Sequence, residues 1–310
     1  MSRILPRSID AVTTSTTTNT LGPALLFCPA DRADRFAKAA DRADAVILDL
    51  EDAVAPVDKD TARANLAAHL LDPARTVIRV NAAGTEEFDA DVAALADLPY
   101  RTVMLAKAES TAQVRALAGH DVIALIETAA GVLAVADIAA EPNVVALMWG
   151  AEDLVASLGG TNSRTADGRY RAVATHARSM TLLAAGAHGK AAIDAVYTAI
   201  GDADGLAAEC EDAAATGFAA KACIHPAQVA VVRAAFAPGE RELADARELL
   251  AEAEHRPGVF SWRGAMIDEP ILRHARSVLA RAHAGSGDGT GEAGTGGSTS
   301  GSAGSGSAGR

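Results

Sequence analysis

Two acidic residues each close an apolar, strand-like run of this 310-residue chain. Glu127 follows Val122-Ile123-Ala124-Leu125-Ile126, and Asp153 lies just beyond Leu147-Met148-Trp149-Gly150. Upstream runs end in Asp49-Leu50-Glu51-Asp52 and Arg79-Val80-Asn81, Lys107 and Glu109 follow a further run, and Lys221 and His225 come from the last one. Charges gathered at one end of successive parallel strands suggest a site for a hard cation and an anionic substrate. Two carboxylates with no His or Cys cluster beside them suit Mg2+ rather than Zn2+. Magnesium keeps open positions, which leaves room for a bidentate 2-oxo acid or hydroxy acid. Arg79 has two readings: it pairs with a substrate carboxylate or a thioester oxygen gaining charge, or it forms a structural ion pair with Glu51 or Asp52. Glu51 and Asp52 are placed to orient Arg79 or metal-bound water. Lys107 and Lys221 are read as contacts for the phosphates or carboxylate of an anionic substrate, or as plain solvated charges. His225, just before Pro226, reads as structural rather than as a base.

Such a site needs strands that all end on the same side. β-Prone runs occur at Leu25–Pro29, Ala45–Leu50, Val77–Asn81, Thr102–Ala106, Val122–Ile126, Val144–Trp149, Ile193–Tyr197 and Phe218–Ile224. Segments of helical periodicity separate them, including 32–42, 61–71, 86–98, 111–117 and 202–216, the last with Gly217 as a C-cap. Eight strands alternating with helices predict an α/β fold, a (β/α)8 TIM barrel. An open doubly wound sheet is the alternative, disfavoured because no Gly-x-Gly-x-x-Gly follows the first strand. The barrel is assigned to residues 21–238 and a C-terminal helical extension to 239–284, with Arg263-Gly264 as a turn inside it. Residues 1–20, rich in Ser and Thr, read as a flexible arm or, less simply, a transit peptide. Residues 285–310, nearly all Gly, Ser, Ala and Thr, read as a disordered tail.

The bulk composition narrows the function classes. A net charge of -12 argues against nucleic acid as the main partner. No apolar run approaches the roughly 20 residues that span a bilayer, and there is no apolar signal-peptide core. The three cysteines lack metal-ligand spacing, so a reduced, cytoplasmic setting is the simple expectation.

Six segments taken together resemble a known family. They are Pro29-Ala30-Asp31-Arg32, Ile47-Leu48-Asp49-Leu50-Glu51-Asp52-Ala53-Val54, Ile78-Arg79-Val80-Asn81, Ile126-Glu127-Thr128-Ala129-Ala130-Gly131-Val132, Gly150-Ala151-Glu152-Asp153-Leu154 and Cys223-Ile224-His225-Pro226. In this order they are similar to the citrate lyase beta-subunit family, within the larger group of 2-oxo acid aldolases and malyl-CoA lyases. The resemblance runs from about Gly22 to Ala284. It implies a Mg2+-dependent barrel that cleaves or forms a C–C bond next to an acyl-CoA thioester, releasing or taking up a 2-oxo acid. It implies Glu127 and Asp153 as metal ligands, with Arg79 on the substrate steadying an enolate. It also implies that a neighbouring subunit's C-terminal extension completes the site. Met266-Ile267-Asp268-Glu269-Pro270 looks like that segment, which makes Asp268 the candidate acid/base and predicts a homo-oligomer, a trimer or a hexamer. Asp268 before Glu269-Pro270 equally fits a helix N-cap. A departure lies at Lys190-Ala191-Ala192, where relatives often carry a proline before the Ile-Asp pair. Three alternatives to an acyl-CoA lyase stand beside it: a malyl-CoA-type thioesterase, the beta subunit of a multi-subunit citrate lyase with a carrier-bound substrate, and a binding protein that keeps the barrel without turnover.

Overall fold

The computed structural model describes residues 21–285; the expected arm at 1–20 and the expected tail at 285–310, except Gly285 at the end of the last helix, lie outside the described residues. Eight parallel strands close into a barrel in chain order. They are β1 (Ala24–Pro29), β2 (Ala45–Asp49), β3 (Thr76–Val80), β4 (Thr102–Leu105), β5 (Asp121–Ile126), β6 (Val144–Trp149), β7 (Ala191–Asp194) and β8 (Ala220–Cys223). The helices between them are α1 (Phe36–Arg42), α2 (Lys59–Ala68), α3 (Glu86–Leu95), α4 (Thr111–Arg115), α5 (Ala129–Ala139), α6 (Ala151–Ser157), α7 (Ala172–Ala187) and α8 (Ala203–Thr216). Helix α9 (Pro226–Phe236) follows the last strand. Gly217 ends α8 with φ 111°, the left-handed conformation expected of a glycine C-cap.

The strands read as unbroken apolar runs because both of their faces are buried. One set of residues fills the barrel interior: Leu25, Ile47, Val77, Met104, Ile123, Leu125, Met148, Ile193 and Ala222. The alternate set packs outward under the helices: Leu26, Leu48, Ile78, Leu105, Ala124, Leu147 and Cys223. This parity decides where each polar strand residue goes. Asp49 and Arg79 share the parity of Ile47 and Val77, and Glu127 that of Leu125, so all three belong to the inner face. Asp194 and Lys221 have the parity of the outer face.

Strand seven differs from expectation. It was expected at Ile193–Tyr197 and runs instead over Ala191–Asp194. Ala191 and Ala192 lack β-branched bulk, but they pair with Ala146 and Leu147 of β6. Neighbouring strands, not local propensity, draw these alanines into the sheet.

Beyond the barrel, α10 (Glu240–His255), the hairpin strands β9 (Phe260–Trp262) and β10 (Ala265–Ile267), and α11 (Glu269–Gly285) form the extension. Its own core gathers Ala246, Leu249, Ile267, Leu272, Ala275 and Val278. Arg263 and Gly264 both have positive φ, 49° and 82°, as a two-residue hairpin turn of the primed type requires. Among the described residues, no helix is long and apolar enough to cross a membrane.

Candidate active site

The C-terminal ends of β2 to β6 carry the charged cluster. Asp49 and Arg79 are register partners on adjacent strands, which brings their side chains together across the ladder. Arg79 donates from Nε to Asp49 Oδ1 at 2.7 Å and from Nη2 to Asp49 Oδ2 at 2.6 Å. This paired fork fixes the plane of the guanidinium. The third nitrogen, Nη1, lies 3.0 Å from Glu51 Oε2. The Phe27 ring packs 4.8 Å from the guanidinium carbon. Burial alone would depress the Arg79 pKa, but the hydrogen bonds and charge of Asp49 raise it above its ordinary value. Arg79 therefore stays a cation inside the barrel mouth.

Glu51 bridges two cations. Its other oxygen accepts from Lys107 Nζ, which also lies 3.3 Å from Asp52 Oδ2. Burial raises the pKa of the Glu51 carboxyl, and Arg79 and Lys107 oppose that rise. Its Oε2 is buried without an aligned hydrogen-bond donor, so one acceptor direction at the mouth is open.

Lys107 would point outward if β4 continued its alternation. Instead its φ is 50°, an uncommon conformation for a residue with a Cβ. This left-handed turn aims the backbone N–H at Glu127 Oε1, 3.0 Å away, and lets the ammonium reach over the mouth to Glu51 and Asp52. Strain of this kind collects where geometry is set for a purpose.

Glu127 is buried. Its pKa is pushed up to about 8, first by burial and then by the charge of Asp153, with Arg79 pulling the other way. Asp153 stands in the first turn of α6, whose N-cap is Gly150. Gly150 leaves space for Glu127: a Cβ there would stand 2.8 Å from Glu127 Oε2 and 2.9 Å from Glu127 Cβ. The Asp153 charge thus acts on the Glu127 carboxyl, and Arg79 and Lys107 only partly offset that repulsion. A hard divalent cation fits this donor set, because it would neutralise both and accept their oxygens. Among the described residues, no group of three or more His, Cys, Asp or Glu side chains is placed to hold a metal.

Lys221 sits elsewhere. It is fully buried on the outer side of β8, 2.9 Å from Asp194 Oδ2 and 2.8 Å from Glu209 Oε1. Asp194 also accepts from Trp149 Nε1 at 2.7 Å and Arg178 Nε at 3.0 Å. The structure thus places Lys221 in an ion network that ties β6, β7 and β8 to α7 and α8, behind the wall and away from the mouth. His225 is the N-cap of α9, its Nδ1 accepting from Ala227 N at 3.2 Å. Asp268 stands at the start of α11, where its Oδ1 accepts a long contact of 3.4 Å from Ile271 N. Its described hydrogen bonds, from Ile271 N and Leu272 N, lie within the extension. Asp49 was legible as a strand-end acid, but its role as the clamp on Arg79 follows only from register.

The family model described as HpcH/HpaI aldolase/citrate lyase matches residues 24–226, from the first barrel strand to the start of α9. The chain belongs to the HpcH/HpaI aldolase/citrate lyase family. Within this family it is 56% identical over 261 residues to a citrate lyase subunit beta-like protein of Mycobacterium tuberculosis, covering 84% of this chain and 96% of that one. It is 38% identical to a (3S)-malyl-CoA thioesterase of Cereibacter sphaeroides, over 84% of this chain and 94% of the other. It is 33% identical to the mitochondrial citramalyl-CoA lyase of Mus musculus, over 84% and 85%. A crystal structure of protein CitE from M. tuberculosis, in complex with magnesium, acetoacetate and coenzyme A, superposes with a TM-score of 0.82 at 55% identity, covering 86% of this chain and 99% of that one. The family match covers all eight barrel strands, and so all the charged strand ends described above.

Proposed function

We propose that this protein is a Mg2+-dependent acyl-CoA lyase. It would cleave, or in reverse form, the C–C bond of a 3-hydroxyacyl-CoA such as malyl- or citramalyl-CoA, giving an acyl-CoA and a 2-oxo acid, or of hydroxymethylglutaryl-CoA, giving an acyl-CoA and a 3-oxo acid. The observation that carries this reading is the pairing at the barrel mouth of a two-carboxylate site, Glu127 and Asp153, with a cation, Arg79, locked in plane by Asp49. The M. tuberculosis protein crystallised with magnesium, acetoacetate and coenzyme A supports it, since its ligands are those such a site would take.

In the cleavage direction a base takes the proton of the substrate hydroxyl. The electron pair of that O–H bond becomes the carbonyl of the departing 2-oxo acid. The C–C bond breaks, and its electrons move into the thioester as an enolate. Arg79 is the residue to hold that enolate oxygen, through the nitrogen that now faces Glu51. Glu127 and Asp153 would hold Mg2+, which binds the oxygens of the 2-oxo acid and favours charge on them. Lys107 and Glu51 hold the surrounding charges in place, with Asp52 beside them. A proton returned to the enolate carbon completes the acyl-CoA. Asp268 from a neighbouring copy of the chain is the proposed acid/base, in a homo-oligomer such as a trimer or hexamer.

A second reading has its own support: hydrolysis of the thioester, as in the malyl-CoA thioesterase relative, whose identity is similar to that of the lyase relative. Product analysis separates the two. Purified protein with Mg2+ is offered the three thioesters, and products are read by mass spectrometry. An acyl-CoA plus the matching oxo acid (a 2-oxo acid from malyl- or citramalyl-CoA, a 3-oxo acid from hydroxymethylglutaryl-CoA), lost with EDTA and in Glu127→Ala, is the expected result. Free CoA with an intact hydroxy acid would replace the lyase reading by the thioesterase.

A further inference from the structure

Behind the mouth lies a second cation that the reaction above does not use. Lys59 is the first residue of α2 and is 7% exposed. Its Nζ donates to three oxygens: Leu50 O at 2.5 Å, Glu51 O at 2.8 Å and Asn81 Oδ1 at 2.9 Å. Asn81 in turn donates from Nδ2 to Leu50 O at 3.0 Å and to Asp91 Oδ2 at 2.7 Å, while its backbone N–H meets the same Asp91 oxygen at 2.9 Å. Asp91 is fully buried and is held by Arg63 Nη1 at 2.8 Å.

The position of Lys59 is costly for the helix that carries it. A cation in the first turn opposes the helix dipole, and a buried ammonium loses its hydration. What it gains is three acceptors, two of them carbonyls of the segment that carries Glu51, the third two residues beyond Arg79. Its contacts therefore join the end of β2 to the end of β3, the pair of strand ends where Glu51 meets Arg79. Lys59 shares the Glu51 backbone with two further bonds: the N–H donates to Asp49 Oδ1 at 2.9 Å, and the carbonyl also accepts from Val54 N at 3.1 Å.

We infer that Lys59 is a positioning residue for catalysis, setting where the Glu51 carboxylate stands against Arg79 and Lys107. It acts through Glu51 and touches no reacting atom. The inference rests on the lyase reading for its catalytic consequence, but not for its structural one. Removing the ammonium takes the donor from Asn81 Oδ1 and leaves Leu50 O and Glu51 O with one donor each, Asn81 Nδ2 and Val54 N, so the loop over residues 50–54 loosens. Misplacement of a catalytic charge by about 1 Å can cost about a hundredfold in rate.

The test is Lys59→Met, which keeps the stem and removes the charge. Amide hydrogen exchange of Glu51, Ala53 and Val54 is measured beside kcat and KM for the thioester that the wild type turns over. The expected result is exchange at least about tenfold faster at those amides, with kcat per folded protein about a hundredfold lower and KM within about threefold. Unchanged exchange, retained kcat, or a KM that rises in step with the loss of rate would each overturn the inference. If Lys59→Met does not fold, Lys59→Arg decides on the same readouts, because a planar guanidinium keeps the charge but cannot sit on three converging oxygens as an ammonium does. A wild type that turns over no thioester would remove the lyase reading, while the exchange data would still decide whether Lys59 holds the loop.

Discussion

Arg79 is locked by two hydrogen bonds to one carboxylate, so its chemistry depends on planarity as well as charge. Lysine keeps the charge but cannot make the paired contact. Arg79→Lys should remain folded by circular dichroism and lose about a hundredfold in kcat, the usual worth of one preorganised donor to a developing oxyanion. Near-full activity in that variant would remove Arg79 from the transition state. Glu127 makes a separate prediction. In the metal-free protein its pKa is about 8, above the ordinary 4.5, first because of burial and then because of Asp153. A carboxyl with a raised folded pKa binds more protons folded than unfolded between those two values, so metal-free stability should fall as pH rises through that window. Mg2+ binds the ionised form, so its apparent affinity should climb by up to about tenfold per pH unit and level off above about 8. Thermal shifts with and without Mg2+ across that range measure both slopes. In Glu127→Gln both should flatten, and an affinity independent of pH in the wild type would contradict the assignment.

At the scale of elements, one backbone torsion matters as much as any side chain. Lys107 holds φ at 50° so that its N–H meets Glu127 while its ammonium meets Glu51. Glycine adopts that torsion without the Cβ penalty, so Lys107→Gly should be more stable than Lys107→Ala by about 1 kcal/mol in denaturant unfolding, although both lose the ammonium. Equal stabilities would mean that the turn is not strained. Much of the barrel was legible because strands buried on both faces leave long apolar runs, and seven of the eight expected runs overlap the observed strands closely. The exception, β7, begins on two alanines whose pairing with β6 no local signal announces. The same burial hid the site's finer structure. When both faces are apolar, the sequence alternates without saying which face is inner, so Lys221 looked like a mouth residue although its parity sends it outward to Asp194 and Glu209. Asp49 was visible as an acid at a strand end, but its partnership with Arg79 is a matter of register between β2 and β3. Lys59 gave no signal at all, since a lysine at a helix start ordinarily reads as a surface charge.

At the scale of the whole molecule, the barrel holds cations and acids at its mouth, and the proposed acid/base belongs to the extension beyond the barrel. Asp268 sits in an extension with its own apolar core, beyond a hairpin, and its side chain faces the first turn of α11. If its place is the mouth of another copy, each complete site takes Arg79 from one chain and Asp268 from a second. Arg79→Ala and Asp268→Ala, each nearly inactive alone, then become complementary. Co-folded at equal amounts into random oligomers, half the barrels carry Arg79 and half the neighbouring extensions carry Asp268. About a quarter of the sites are therefore whole, whatever the number of subunits, provided that each site draws on two chains. The expected outcome is recovery of about a quarter of wild-type kcat per site, with the oligomer's mass measured by light scattering on the same sample. If Asp268 instead served its own barrel, no mixture would contain a whole site, and activity would stay at the sum of the two variants. If Asp268 only capped α11, the single Asp268→Ala variant would keep its rate and lose about 1 kcal/mol of stability, the usual worth of a cap.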